Sequence, residues 1–205
     1  MDTKAYKNVV NYEHQKAHRF AALLGIFGIF MAFAGLTSAY LVRKGAGQWV
    51  DFSMPSAFYA STLFIILSSF TMYVAHLSNK KNAKPLLVVG LSLTFVLGIL
   101  FCYYQYQGWQ QLYDGGIYME GNPSGSFLFV ITGLHVVHVI GGLIFLLFAI
   151  AKSYYLYNIK NVEDTSIEGN GEKLHVRTDL LSIYWHSIDI LWVYLFIFLY
   201  INLNH

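Results

Sequence analysis

Charge is scarce in this chain, and its gaps are its clearest pattern. Lys, Arg, Asp and Glu make up 12% of the 205 residues. None occurs between Arg19 and Arg43, Asp51 and Lys80, Lys84 and Asp114, or Glu120 and Lys152, and after Asp179 only Asp189 remains. With 56% hydrophobic residues and a mean hydropathy of +0.48, the chain cannot be a soluble domain, which could not hide so much apolar surface. A net charge of +2, with the basic residues dispersed, leaves no footprint for nucleic acid. The single cysteine, Cys102, excludes an internal disulfide, and its apolar segment marks it as a packing residue. Only three prolines occur. Pro55, Pro85 and Pro123 each stand at or just before an apolar run, where a missing N–H costs nothing. A Gly-rich phosphate loop, a G-x-S-x-G elbow and paired acids of the glycosidase type are all missing, as are an internal repeat and a second domain.

What remains is five apolar runs. Each exceeds the roughly 20 residues needed to cross a bilayer. They predict an all-α integral membrane protein, one transmembrane domain over residues 1–205, with helices near 20–42, 56–78, 85–109, 125–151 and 180–203. The polar, glycine-containing stretch 160–173 falls in a cytoplasmic loop expected at 153–178. If the five helices alternate, Lys4, Lys7, Lys16, Arg19, Lys80, Lys81, Lys84, Lys152, Lys160, Lys173 and Arg177 share one face, against Arg43 and Lys44 on the other. The positive-inside rule then puts the N-terminus in the cytoplasm and the C-terminus in the periplasm. The polar N-terminus lacks an apolar core with a small-residue cleavage site, so no cleaved signal peptide is expected.

Small residues indicate where helices meet. Gly25, Gly28, Ala32, Gly35 and Ala39 form a heptad-like stripe on the first helix, and Gly133, Gly141 and Gly142 bracket the histidines of the fourth. In lipid such residues let backbones approach closely, so both sets are expected at helix contacts. Tyr40, Trp49, Trp109, Tyr113, Tyr154, Tyr155 and Tyr157 lie near helix ends and read as interfacial belts.

Polar side chains inside apolar helices carry the functional question. His135 and His138 are three apart on the fourth helix, as are His186 and Asp189 on the fifth, so each pair shares a helix face. His138 lies fourteen positions from Lys152, and Asp189 twelve from Arg177, which are comparable depths and predict a contact between them. The residues fit a hydrogen-bonded clamp between helices, a proton relay or headgroup site, or a metal or haem site. Against a metal, no Cys, Met or second carboxylate joins them.

Gly125–Gly141 reads GSFLFVITGLHVVHVIG, and Tyr184–Trp192 reads YWHSIDILW. These resemble the motifs G-S-x-F-F-x-x-T-G-x-H-x-x-H-V-x-x-G and Y-W-H-F-V-D-x-x-W of subunit III of haem–copper terminal oxidases. Ser38–Val42 (SAYLV), Leu97–Gly98, Gln105 and Trp109 also resemble bacterial members, so the likeness spans about residues 18–203. It implies a non-catalytic subunit of a bacterial proton-pumping cytochrome c oxidase in aerobic respiration, in the cytoplasmic (inner) membrane. Haems and copper would sit in partner subunits I and II, with none bound by this chain. The chain would pack on subunit I, bind phospholipid and support proton uptake and stability. A small subunit IV and a respiratory supercomplex are further candidate partners. His135, His138, Tyr184, Trp185, His186, Asp189 and Trp192 would then form an intramembrane polar contact or lipid site, not a catalytic one. The alternatives are subunit III of a quinol oxidase, a freestanding haem- or metal-binding membrane protein, and an assembly scaffold.

The likeness has departures. Many relatives have seven helices, and this chain matches the last five. In some short relatives the missing pair is attached to the catalytic subunit, which implies that a lipid cleft here is shared with another chain. A buried Glu usual in the first of these helices falls at Ile29, and another common Glu falls at Gly108. A carboxylate-based proton antenna in this subunit would rest on Asp189 alone.

Overall fold

Where the charges stop, helices form. The computed structural model describes residues 3–47, 49–81, 83–158 and 168–203, with side-chain surroundings for 16–47, 49–81, 83–155 and 178–203. Five helices follow in order: α1 (Thr3–Gly45), α2 (Ser56–Lys80), α3 (Lys84–Asp114), α4 (Pro123–Asn158) and α5 (Glu168–Leu203). The stretches Lys16–Gly45, Ser56–Lys80, Lys84–Asp114, Pro123–Tyr155 and Thr178–Leu203 are each long and apolar enough to cross a membrane.

The helices run past the apolar limits expected from sequence, because polar residues extend a hydrogen-bonded ladder into water at little cost. The expected loop at 153–178 is accordingly shorter: residues 153–158 continue α4 and 168–178 already belong to α5. Residues 159–167, Tyr157's side chain and most of the basic side chains expected there lie outside the described set. The prolines act as starts: Pro55 is the N-cap of α2, Pro85 enters the first turn of α3, and Pro123 opens α4. α3 ends in a Schellman closure, with Ile117 N–H on Leu112 C=O (2.9 Å) and Gly116 N–H on Tyr113 C=O (3.0 Å). Gly116 has φ 77°, a left-handed value that suits glycine.

α2 and α3 form an antiparallel pair in contact along their length, with Gly90 facing Ala75. α4 packs on α3, and α5 lies against both α2 and α4. α1 is peripheral and leans on α4 and α5 through Phe33, Thr37 and Tyr40. It is fastened at three levels. Arg19 Nη2 meets Asp179 Oδ2 at 3.4 Å, Thr37 Oγ1 and Tyr194 OH lie 2.9 Å apart, and Lys44 Nζ donates to the Asn202 carbonyl near the end of α5.

This arrangement corrects two expectations. Gly25, Gly28, Ala32, Gly35 and Ala39 face away from the bundle, and a Cβ added at Gly25, Gly28 or Gly35 would meet nothing within 4 Å. α1 uses its larger side chains inward, so the small-residue stripe makes no helix contact within this chain. Tyr40 is fully buried, ringed by Trp49, Phe127 and Phe198, and is not an interfacial residue. On α4 the glycines do receive neighbours: Gly133 faces Trp109, Gly141 faces Tyr184, and Gly142 lies against Trp185. Close approaches also occur on α3, where Gly98 accommodates Leu143 and Trp185, and Gly108 accommodates Phe58.

Candidate functional site

The polar residues of α4 and α5 divide between two surroundings. His135 is fully buried in an aromatic cage, its ring centroid 5.0 Å from Trp192, 5.7 Å from Phe101 and 6.3 Å from Phe33. Neither of its nitrogens has a hydrogen-bond partner. His138 is half-buried; its Nδ1 lies 2.7 Å from the Leu134 carbonyl one turn back, and its ring sits edge-on to Phe33 at 5.7 Å. The α4–α5 hydrogen bond runs instead from Tyr184 OH to the His138 carbonyl, 2.9 Å.

On α5, Asp189 is buried, and one of its carboxyl oxygens lies 4.0 Å from His186 Nδ1. The Ser69 hydroxyl of α2 also reaches this carboxyl. His186 turns toward α2, where Ser69 Oγ lies 2.8 Å from its Nδ1. The contact expected between His138 and Asp189 does not form. The helices are rotated so that α5 turns His186 toward α2.

Indole donors fix that rotation. Trp185 Nε1 donates to Ser68 Oγ (3.1 Å), Trp192 Nε1 to Thr62 Oγ1 (2.9 Å) and Trp109 Nε1 to Thr132 Oγ1 (2.9 Å). Gln105 Nε2 reaches Ser61 Oγ at 2.9 Å, joining α3 to α2. In an apolar medium a buried N–H without an acceptor costs several kcal/mol, so each pair disfavours rotation of its helices. Sequence reading missed Ser61, Thr62, Ser68 and Ser69, and named Gln105 only as part of the resemblance. The available signal was the spacing of Thr62, Ser69 and His76, one heptad apart on α2.

At one end of this contact a second cluster forms. Asp179 meets Arg19 of α1 and, through Oδ1, His76 Nδ1 of α2 at 3.3 Å. A cavity of about 490 Å³ opens nearby between α1, α4 and α5, lined by Ala22, Phe145, Phe148, Leu180, Tyr184 and Lys152 among others. Its wall is mainly apolar, with Tyr184 and Lys152 contributing polar groups.

Gly108 explains one departure from the haem–copper pattern. A Cβ there would lie 2.1 Å from Cε1 of Phe58, so the ring fills the space a longer side chain would need. Ile29, at the other departure, is half-buried against the Phe33 and Tyr40 cluster.

Five helices able to cross a membrane, bound by side-chain pairs in the bundle interior, define a multi-pass helical membrane protein. Among the described residues no group of three or more His, Cys, Asp or Glu is placed to hold a metal ion. The cytochrome c oxidase subunit III family matches residues 18–203, and the chain belongs to that family. It is similar to the probable cytochrome c oxidase subunit 3 of Rickettsia felis, 28% identical over 95% of this chain and 73% of that protein. The cytochrome c oxidase subunit 3 of Thermostichus vulcanus is 27% identical, over 93% and 90%. The cytochrome bo(3) ubiquinol oxidase subunit 3 of Buchnera aphidicola from Schizaphis graminum is 29% identical, over 70% of each. The protein is thus a subunit III of the haem–copper oxidase family, part of a terminal oxidase complex, and a multi-pass bacterial membrane protein.

Proposed function

We propose that this chain is the non-catalytic subunit III of a proton-pumping cytochrome c oxidase in the bacterial inner membrane, with its N-terminus cytoplasmic and its C-terminus periplasmic. It packs on subunit I, holds phospholipid and supports proton uptake and lasting turnover, while subunits I and II carry haem and copper. The observation that favours cytochrome c as donor is the extent of alignment. The Rickettsia felis and Thermostichus vulcanus proteins, named for cytochrome c oxidase, align over 95% and 93% of this chain, against 70% for the ubiquinol oxidase relative. That last relative keeps a quinol oxidase subunit III as the second reading.

The residues fit a supporting role. Trp185, His186 and Trp192 point to hydroxyl partners on α2, and His135 lies shut within aromatic rings, so the arrangement serves helix register rather than ligand exchange. The cavity lined by Phe145, Phe148 and Tyr184 fits an acyl chain, with Lys152 on its wall suited to a phosphate. Purification in mild detergent through a tag on this chain tests the whole reading. Large haem-containing partners with oxygen consumption driven by reduced cytochrome c are expected. Activity with quinol alone selects the second reading, and a colourless chain without partners overturns both.

A further inference from the structure

α1 is held to the bundle unevenly along its length. From Phe33 onward it is packed: Phe33, Thr37 and Tyr40 are buried about a turn apart, and Lys44 donates to the Asn202 carbonyl. From Lys16 to Ala32 no residue is buried, and only Ala22, Ile26, Ile29 and Phe30 are half-covered. Of the most apolar window of α1, 11% is buried in the bundle, against 33–39% for the other four spans, so its N-terminal half is the least anchored part of the membrane domain.

At the far end of that half stands the Arg19–Asp179 pair, Nη2 to Oδ2 at 3.4 Å. The other oxygen of the carboxyl faces His76 Nδ1 of α2 at 3.3 Å, so Asp179 belongs to the fixed part of the bundle and the parting line runs between Asp179 and Arg19. The cavity of about 490 Å³ borders this line. Ala22, one turn from Arg19, and Leu180, next to Asp179, are both on its wall, together with Phe145, Phe148 and Ala149 of α4. From Arg19 to Phe33, the first buried residue of α1, is about 21 Å of helix, so a bend or tilt of about 20° moves the Arg19 end by roughly 7 Å. The two side chains are 52% and 25% exposed. An ion pair that open to water contributes little, so the closed position is held by a narrow margin.

We propose that residues 16–32 of α1 form a strap over the cavity, pivoting on the packed stretch from Phe33 to Tyr40 and latched by Arg19 on Asp179. Latched, the strap keeps Ala22 against the mouth of the cavity beside Leu180. Released, it swings from α4 and α5 and opens the cavity sideways to the membrane. His76 keeps the carboxylate on the bundle side, so the latch parts cleanly at the guanidinium and re-forms on the same oxygen. Thr37 and Lys44, bonded to Tyr194 and Asn202 of α5, hold the pivot end while the other end moves. That the strap admits an acyl chain rests on the lipid reading of the cavity; the movement itself does not.

The test is a pair of distances read by pulsed electron paramagnetic resonance on the full chain in phosphatidylglycerol nanodiscs, with Cys102→Ala removing the native thiol. One pair of nitroxide labels, at His18→Cys and Tyr155→Cys, spans the latch end between α1 and α4; both positions are exposed. The other, at Val42→Cys and Ile201→Cys, spans the pivot end between α1 and α5, where both side chains are also exposed. At the latch end one main distance with a minor longer one is expected. Asp179→Asn should raise the longer population by about two- to fivefold, the worth of a half-exposed ion pair. Arg19→Gln, on an exposed side chain, should do the same and serves if Asp179→Asn does not fold. The pivot distance should stay single and unchanged in both variants. A latch-end distribution that neither variant alters overturns the strap, since the ion pair then holds nothing. Equal widening at both ends also overturns it, because α1 then leaves the bundle as a whole. Retained phospholipid is counted separately, so failure of the strap and failure of the lipid reading are distinguishable.

Discussion

Substitution of Gly108 by alanine tests how closely α2 and α3 are fitted. The added Cβ would lie 2.1 Å from Cε1 and 2.5 Å from Cδ1 of Phe58. Carbon atoms rest about 3.5–4.0 Å apart, so ring or helix must move by roughly 1.5 Å. Phe58 has no exposed surface and stands edge-on to Trp192 at 6.2 Å, so the ring has nowhere to swing. Overpacking of this kind costs about 1–3 kcal/mol, and the fixed ring puts Gly108→Ala at the upper end. Gly28→Ala is the control, because its Cβ meets nothing within 4 Å and alanine favours the helix. Stability of the purified chain can be followed by SDS titration with circular dichroism. A second substitution, Phe58→Leu, should recover part of the loss at Gly108, as coupled neighbours do. Equal stability of Gly108→Ala and Gly28→Ala, or no coupling with Phe58→Leu, would refute the close-contact argument.

Three other outcomes are expected. Trp192→Phe should cost about 0.6–1.5 kcal/mol through the bond to Thr62, and Thr62→Val should add little on top; full additivity in the same titration would mean that the pair does not interact. Asp189→Asn should weaken co-purification with the oxidase subunits and shorten sustained turnover more than Asp114→Asn in the exposed end of α3, and wild-type behaviour would remove Asp189 from assembly and proton uptake alike. Ala149→Trp, which fills the cavity between α1, α4 and α5, should lower the phospholipid retained through purification as counted by lipid mass spectrometry, whereas unchanged retention would place the lipid elsewhere.

The number and place of the helices were legible because a bilayer demands one simple thing, about 20 residues without charge, and the chain states it in its gaps. Rotation about the helix axes was not. Depth is a matter of residue count, whereas rotation depends on which neighbour satisfies each polar group, and that neighbour was Ser69 on a helix more than a hundred residues away in sequence. The stripe from Gly25 to Ala39 misled for a related reason. Small residues permit close approach without compelling it, and α1 found its contacts through Phe33, Thr37 and Tyr40. Tyr40 lay near a helix end, where aromatics often face the headgroups, but the segment carrying Trp49 folds back over it.

The pairing of α5 with α2 also bears on how the chain is made. Ribosomes deliver the helices in order, so α2 is in the bilayer before α5 is finished. On insertion scales a lone Asp at a helix centre costs about 2.5–3.5 kcal/mol, and His186 and Asp189 both belong to the last span. By then Ser68, Ser69 and Thr62 already stand waiting on α2 to receive Trp185, His186 and Trp192. α5 is therefore synthesised after α2, when its acceptors are in place. A chain arrested before Leu180 should leave those hydroxyls open, a recognisable mark of unfinished protein for membrane quality control.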